Sequence, residues 1–364
     1  MNLGIVGWRG MVGSVLINRM DQNNDFGLFK TTLLSNSNFK SKLSTKYPDL
    51  KYEKSDNLDC LLSQDILISC QGSEYTQKIY PILRKKGWSG YWVDASSSLR
   101  MNEDSIIVLD PLNKKNITDY INNNGKTFCG GNCTVSLLLL AIQGLIDSEL
   151  LLWISSMTYQ SVSGAGASCV KELLMQISDF SSDESINVND DTNDLLNNID
   201  QLFSNKNLST KSTQIPLIGN LIPWIDSDLD NGQSKEEWKG GAEANKILNN
   251  KNISFDGICT RVGVFRCHSQ ALTFCLKEKV DLDELNKKID DANEWVKLVP
   301  NNKSDTLSLL NPVKVSSKLQ ILIGRVRKLN LPGNIYSAFT IGDQLLWGAA
   351  EPLRRTALII KDSI

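Results

Sequence analysis

A short apolar run, Leu3-Gly4-Ile5-Val6, leads directly into Gly7-Trp8-Arg9-Gly10-Met11-Val12-Gly13, and apolar residues then recur at 11, 12, 15, 16 and 20. The run reads as a buried strand and the later spacing as a helix, so the glycines must carry the chain through a tight turn between them. Strand, glycine turn and helix in this order form the first unit of a dinucleotide-binding fold, in which a pyrophosphate rests on the open N–H groups of the helix start. The spacing is G-x-x-G-x-x-G, which also suits a turn that merely packs strand on helix. The residues that follow favour the first reading.

Further strand-like runs lie at 31–34, 65–70, 90–93, 105–109 and 126–129, with helical stretches such as 74–86 between them. This alternation predicts a parallel, doubly wound sheet of the Rossmann type. Ligands of such sheets sit at the carboxyl ends of the strands, where Gln71-Gly72, residues 94–100 and Gly130-Gly131-Asn132-Cys133 all fall. The second strand ends in Ser35-Asn36-Ser37-Asn38, with Lys40 nearby, at the place where an NAD-specific site sets an acid against the ribose 2′-OH. Small polar groups and a lysine tolerate a 2′-phosphate, so NADP is the expected cofactor; a solvated loop is the plain alternative.

The 364-residue chain is long enough for more than one domain, and its net charge of -2, with lysines scattered rather than striped, leaves no footprint for nucleic acid. The N-terminus has no basic region or small-residue cleavage site, and the apolar stretch 136–154 is broken by Gln143, Asp147 and Glu149. No signal peptide and no membrane span are expected. Eight irregularly spaced cysteines, no C-x-x-C pair and a single histidine argue against a disulfide framework and against a metal site. A reduced, cytoplasmic protein is the expectation.

Phe128-Cys129-Gly130-Gly131-Asn132-Cys133-Thr134-Val135-Ser136 is followed at once by the apolar run 137–142, which places Cys133 at or just before a helix N-terminus. Open N–H groups and the positive end of the helix dipole favour a thiolate there, although a small buried residue is the commoner meaning of a cysteine. Beyond it, 153–159 reads as a strand, and Gln160-Ser161-Val162-Ser163-Gly164-Ala165-Gly166-Ala167 as a small-residue loop opening a helix, a second place for backbone contact with a ligand. Residues 181–213 are rich in Asp, Asn and Ser, with Leu195, Leu196, Ile199, Leu202 and Phe203 at helical spacing. A surface excursion carrying one amphipathic helix is expected there.

In the last third, 238–248 reads as a helix with Glu243 and Lys246 on one face, and strands at 257–263 and 271–276 flank Arg266-Cys267-His268-Ser269-Gln270. Residues 340–350 read as a helix rich in small residues that closes back on the first domain. His268 is the one side chain whose ordinary pKa lies near neutrality. Cys133 as nucleophile, His268 as proton carrier and helix N–H groups as oxyanion donors together suit acyl chemistry. With a nicotinamide site beside them, the chemistry becomes oxidation or reduction at an acyl carbon through a thioester. Arg100, Lys246 and Arg261 are candidates for binding anionic substrate groups.

In order along the chain, Gly7 to Gly13, Gly130 to Ser136, 233–248, Arg261-Val262-Gly263 with Arg266 to Gln270, and 342–355 resemble aspartate-semialdehyde dehydrogenases of the Gram-negative bacterial type. The resemblance implies a glyceraldehyde-3-phosphate-dehydrogenase-like fold. Its NADP-binding domain spans 1–131 and is completed by a C-terminal helix at 349–364, while 132–348 form a mixed α+β catalytic and dimerisation domain. It also implies a homodimer that reduces L-aspartyl 4-phosphate to the semialdehyde and releases phosphate, on the route to lysine, diaminopimelate, methionine, threonine and isoleucine. By the same resemblance, Cys133 is the nucleophile, His268 the acid/base, and Gln160 the residue orienting substrate beside the sulfur. Arg261 holds the substrate carboxylate, Glu243 its ammonium, and Arg100 with Lys246 the phosphate. The NADP contacts are Arg9, Gly10, Met11, Val12, Asn36, Ser37, Gln71, Ser163, Gly164, Ala165, Gly166, Ala167 and Gln344.

Two positions depart from the pattern: Asn36 stands where the family more often has threonine, and Ala165 interrupts a glycine run. The alternatives are another acyl-phosphate reductase, such as one for N-acetylglutamyl phosphate, a Cys–His hydrolase, and a non-catalytic NADP-binding subunit. A charged Glu243 beside the substrate amine argues against the acetylated substrate.

Overall fold

The computed structural model describes residues 1–36, 47, 50–205, 208–250 and 252–364. Ser37, Asn38 and Lys40, part of the expected 2′-phosphate loop, lie outside the described residues. The N-terminal strands are β1 (Asn2–Val6), β2 (Lys30–Leu34), β3 (Lys51–Glu53), β4 (Ile66–Ser69), β5 (Tyr91–Asp94), β6 (Ile106–Val108) and β7 (Thr127–Gly130). They form one sheet in the order β3-β2-β1-β4-β5-β7-β6, with parallel pairing throughout. Leu3, Ile5, Leu33, Ile66, Ile68, Val93 and Phe128 are buried, as strands covered on both faces require. Strand order reverses direction between β1 and β4, which opens a crevice at their carboxyl ends.

Helices that matter for the site are α1 (Met11–Gln22), α2 (Ser73–Lys85), α3 (Asp110–Asn122), α4 (Cys133–Ala141), α5 (Ala167–Ser181), α6 (Thr192–Asn205), α7 (Lys235–Leu248) and α8 (Glu351–Asp362). The remaining strands are β8 (Leu151–Gln160), β9 (Leu221–Ile222), β10 (Ser254–Val262), β11 (His268–Leu276), β12 (Val296–Leu298), β13 (Ile321–Lys328) and β14 (Ile335–Gly342). They build a second, mixed sheet in the order β12-β13-β14-β11-β8-β10-β9. One face packs on α4 and α7 through Ile154, Leu272, Phe274, Leu138, Ala244 and Ile247. The other face exposes Met157, Tyr159 and Ile258, an apolar surface of the kind that meets another protein surface.

α4 is apolar all round, and the residues Thr134 to Ala141 are buried, as a helix wedged between the two sheets must be. Gln270 of β11 ties it to the second sheet, with Nε2 donating to Thr134 O at 3.0 Å and Oε1 accepting from Ser156 Oγ at 2.8 Å. The excursion at 181–213 carries α6, whose Leu202 is buried, as the helical spacing there implies.

Three boundaries differ from the sequence expectation. α7 begins at Lys235 rather than 238, because Ser234 and Glu237 form a capping box. His268 to Gln270 belong to strand β11 rather than to a loop, entered through Cys267 at φ 76, a left-handed conformation. Residues 340–350 are not one helix. Thr340 to Gly342 end β14, Asp343 turns the chain by accepting from Leu345 N at 3.0 Å, and Leu346–Ala350 form a π-helical turn leading into α8. A Cβ at Gly348 in that turn would lie 2.7 Å from Cys133 Cβ, so the wide turn accommodates close contact with α4.

α8 inserts Leu353, Ala357 and Ile360 among the core residues of the first sheet. It is clasped there by Arg354, whose Nε and Nη2 meet Asp25 Oδ2 and Oδ1 at 2.5 and 3.0 Å, while Glu351 accepts from Arg19 Nε at 2.8 Å. Asp25 is 2 % exposed; without it the guanidinium keeps one partner, Glu351 Oε1, which accepts from Arg354 Nη1 at 2.9 Å. Asp25→Ala is expected to cost about 1–3 kcal/mol in urea unfolding, because two charge-assisted hydrogen bonds are lost while one ion pair remains; a loss under about 0.5 kcal/mol would mark the pair as solvent-screened.

Candidate active site

The crevice of the first sheet opens into a cleft of about 540 Å³ running between the two sheets, lined by Met11, Val12, Arg100, Cys133, Gln160 and Arg261 among others. At its nucleotide end, a Cβ at Gly13 would lie 2.3 Å from Gly7 O and one at Gly7 3.0 Å from Gln71 N. Only glycine permits this close passage of β1, the turn and the end of β4. Gly10 caps α1 with no side-chain hydrogen bond, so the first N–H groups of the helix stay open for an anion. Ser163, Gly164, Gly166, Ala167 and Gln344 line the same cleft, and Gln344 Nε2 donates to Ser163 Oγ at 2.9 Å. Arg9, Gly10, Asn36, Gln71 and Ala165 are exposed, and Asn36 Oδ1 accepts from Ser55 N at 3.1 Å. These groups fit a dinucleotide.

Cys133 is the first residue of α4, and its neighbour Asn132 is the cap: Oδ1 accepts from Thr134 N and Val135 N at 2.9 and 3.3 Å. Cys133 Sγ lies 3.1 Å from His268 Nε2. On the far side of the ring, Nδ1 accepts Ser161 N–H at 3.0 Å. A nitrogen that accepts a backbone N–H carries no proton in the neutral ring, so the hydrogen sits on Nε2 and faces the sulfur. Flipping the ring would set carbons at both contacts.

Burial governs both titrations. It pushes the Cys133 thiol up to about 12, with Glu236 adding to the rise and Arg261, Arg100 and the Thr134 N–H opposing it. It pushes His268 down to about 3, with the Arg261 charge acting in the same direction. The sequence expectation of a thiol lowered by its helix N-terminus is therefore reversed, because loss of water outweighs the helix dipole. At neutral pH the pair is a thiol beside a neutral imidazole.

Arg261 is 8 % exposed and donates Nη1 to Ser161 O at 2.7 Å. A Cβ at Gly164 would lie 3.0 Å from both Arg261 Nη1 and His268 Cε1, so glycine lets the loop close over both. Arg100 donates to Gly130 O at 2.7 Å and Glu243 Oε1 at 3.1 Å. Glu243 Oε2 accepts Asn132 N–H at 2.6 Å, which occupies both carboxylate oxygens. Lys246 lies behind Arg100, with Nζ donating to Arg100 O, Asn102 O and Ser105 Oγ at 2.6, 2.7 and 3.1 Å. Neither Glu243 nor Lys246 is among the residues lining the cleft.

A second buried carboxylate, Glu236, does line the cleft, and sequence reasoning passed over it. It accepts from Asn132 Nδ2, Gln160 Nε2 and Lys239 Nζ at 2.9, 3.2 and 3.0 Å, and Lys239 also reaches Asp226 at 2.6 Å. The signal was present: Ser234-x-x-Glu237 starts the helix early, and 236, 239, 243 and 247 then share one inward stripe.

Residues 2–120 match the family model described as semialdehyde dehydrogenase, NAD binding domain, and residues 142–347 match semialdehyde dehydrogenase, dimerisation domain. The chain belongs to the semialdehyde dehydrogenase family. Within this family it is similar to the aspartate semialdehyde dehydrogenase from Francisella tularensis, with 46% identity over 99% of this chain and 100% of that one and a TM-score of 0.95. Aspartate semialdehyde dehydrogenase II from Vibrio cholerae, solved in complex with ASA, shares the fold at 23% identity, with a TM-score of 0.80 and coverage of 98% and 97%. The Candida albicans enzyme with NADP shares it at 13% identity, with a TM-score of 0.67 and coverage of 100% and 99%. Among the described residues, no helix of this semialdehyde dehydrogenase is long and apolar enough to cross a membrane, and no acidic, cysteine or histidine cluster suits a metal.

Because the resting thiol is protonated, alkylation of Cys133 by iodoacetamide in the nucleotide-free protein should rise about tenfold per pH unit from about pH 7 to about pH 10. Peptide mass spectrometry isolates Cys133 from the other cysteines. A plateau below about pH 9 would mean that the thiolate is already formed.

Proposed function

We propose that the chain is an aspartate-semialdehyde dehydrogenase: it reduces L-aspartyl 4-phosphate to L-aspartate 4-semialdehyde with NADPH and releases phosphate, in amino-acid biosynthesis from aspartate. The observation that carries this reading is the 3.1 Å approach of Cys133 Sγ and His268 Nε2 in a cleft shared with the open start of α1. The 46% identity to the Francisella tularensis enzyme over the whole chain supports the substrate.

Cys133 Sγ gives up its thiol proton as it bonds to the acyl carbon and the bond from that carbon to the phosphate oxygen breaks; the proton leaves with the phosphate and a thioester remains. NADPH supplies the hydride that reduces this carbon. The resulting oxyanion expels the Cys133 thiolate and the semialdehyde departs, and the thiolate takes one proton from solvent to restore the resting thiol. His268 holds its hydrogen on Nε2 toward the sulfur and, during reduction, toward the nearby oxyanion, with the N–H groups of α4 beside it. Ser161 fixes that tautomer. Arg261 offers its remaining N–H groups to the substrate α-carboxylate, and Arg100, steadied by Glu243 and by Lys246 on its carbonyl, offers a cation for the phosphate. The first residues of α1, with Ser163 to Ala167 and Gln344, receive the nucleotide.

NADP is preferred over NAD on this reading because β2 ends in Ser35-Asn36, without a carboxylate to hold a 2′-OH or repel a 2′-phosphate. The exposed Met157, Tyr159 and Ile258 face of the second sheet is the surface we assign to the homodimer.

In the oxidative direction, the purified protein should reduce NADP+ with aspartate semialdehyde only when phosphate is present. Phosphate-independent release of acid would point instead to a hydrolase, and inactivity across nucleotides and pH would sink the assignment. Cys133→Ala should abolish turnover while NADP+ binding persists. Arg261→Lys should raise the KM for the amino-acid substrate by about tenfold or more through loss of the bidentate grip. Equal changes in the KM for phosphate would contradict that role for Arg261.

A further inference from the structure

His268 and Gln344 come from neighbouring strands of the second sheet that leave it at the same end. β11 and β14 are antiparallel, and His268 opposite Gly342 is the last pair of their ladder. Beyond that pair the two chains are joined by an ion pair, with Arg266 Nε 2.6 Å from Asp343 Oδ2. The Asp343 side chain is fully buried, and it accepts two further hydrogens, from Ser317 N at 2.6 Å and from Leu345 N at 3.0 Å. We propose that Asp343 is a positioning residue: its one carboxylate holds the two turns from which His268 and Gln344 emerge, and so keeps the ring at the sulfur and the carboxamide at the nucleotide end in one frame. This inference rests on the roles given to His268 and Gln344 above.

The first turn has a conformation that the chain does not keep unaided. Cys267 has φ 76 and Ser317 φ 64, left-handed values that a residue with a Cβ adopts at a cost. Asp343 binds Ser317 through its own N–H, and reaches Cys267 through the Arg266 side chain just before it. Cys267 is also seated among Val299, Leu310, Val315 and Ile341. An ionised carboxylate accepts at both oxygens and donates nowhere, so it can gather a guanidinium and two N–H groups from three segments at once. An amide in its place would turn its NH2 on one of those donors.

Contacts on the cofactor side close the circuit. The turn before His268 offers Val264 O to Val162 N–H at 2.8 Å and Phe265 O to Ser163 N–H at 3.2 Å. Ser163 Oγ accepts from Gln344 Nε2 at 2.9 Å, and Asp343 O accepts Leu346 N–H at 3.1 Å. Two residues after Arg266, His268 Nε2 stands 3.1 Å from Cys133 Sγ. Loosening Arg266 therefore reaches the ring, whereas loss of the carboxylate releases the ring and Gln344 together.

The test separates these two branches in phosphate-dependent NADP+ reduction with aspartate semialdehyde. Arg266→Gln cuts the His268 branch alone, so kcat, measured well below the melting temperature of the variant, should fall by about tenfold or more. NADPH affinity, read from the fluorescence of the nucleotide, should be retained. Asp343→Asn cuts both branches, and its fall in kcat should come with a Kd for NADPH raised by about fivefold or more. The double variant should lose no more kcat than Asp343→Asn, because the two groups act through one contact. Wild-type kcat in either single variant, or an additive further loss in the double, would overturn the proposal. A residue that serves stability alone lowers the melting temperature and moves neither kcat of the folded protein nor the NADPH Kd. If Asp343→Asn does not fold, Arg266→Gln still decides: loss of kcat with affinity retained supports the proposal, and unchanged kcat removes it. A wild-type protein inactive on aspartate semialdehyde with phosphate would instead remove the roles of His268 and Gln344, and this inference with them.

Discussion

Asn132 is where the halves of this molecule are joined around one sulfur. It follows β7 of the first sheet, caps the helix that carries Cys133, and is gripped by two glutamates of α7, one on its backbone N–H at 2.6 Å and one on its amide at 2.9 Å. Because Glu236 and Glu243 are seven residues apart on one helix, they present both acceptors from a single face. Each glutamate has a cation of its own, Lys239 and Arg100. A buried carboxylate without such a partner would protonate rather than hold its position. Displacing Asn132 would therefore disturb the helix cap, the Arg100–Glu243 pair and the Glu236 contact with Gln160 together.

The dinucleotide half was legible because its determinants are local. Gly7, Gly10 and Gly13 are spaced for a passage that a Cβ would block, and the apolar runs from Leu3 to Phe128 match strands buried on both faces. The catalytic half was legible in its members but not in its connections. Cys133 at a helix start and a single His268 are visible in one dimension. That the ring takes Ser161 N–H on one nitrogen and faces sulfur with the other depends on β8 and β11 running antiparallel, with Ser269 opposite Tyr159.

Two readings failed for physical reasons that sequence spacing does not carry. A helix N-terminus lowers a thiol pKa when water or a cation completes its surroundings, whereas here α4 starts inside the protein and desolvation dominates. Residues 340–350 have the composition of a helix, yet Gly342 ends a strand, where a Cβ would press to 2.5 Å on Leu137 Cδ2, and the small residues after it serve close contact with Cys133. In both cases the tertiary environment, rather than local propensity, set the outcome.

Charge balance then decides how a substrate lies. Arg100 is paired with Glu243, and Lys239 with Glu236 and Asp226, so the carboxylates of the cleft are already spoken for. Among the described cations that line the cleft, Arg261 has a carbonyl for company rather than a carboxylate. An entering α-carboxylate gains most there, because pairing with Arg100 or Lys239 would compete with a buried ion pair already in place. On the proposed reading, a carboxylate at Arg261 and an acyl carbon at Cys133 would set the two ends of a short substrate across the cleft that both residues line. Such an orientation would follow from one imbalance: a buried guanidinium with a carbonyl rather than a carboxylate for partner, beside a thiol that is uncharged at rest.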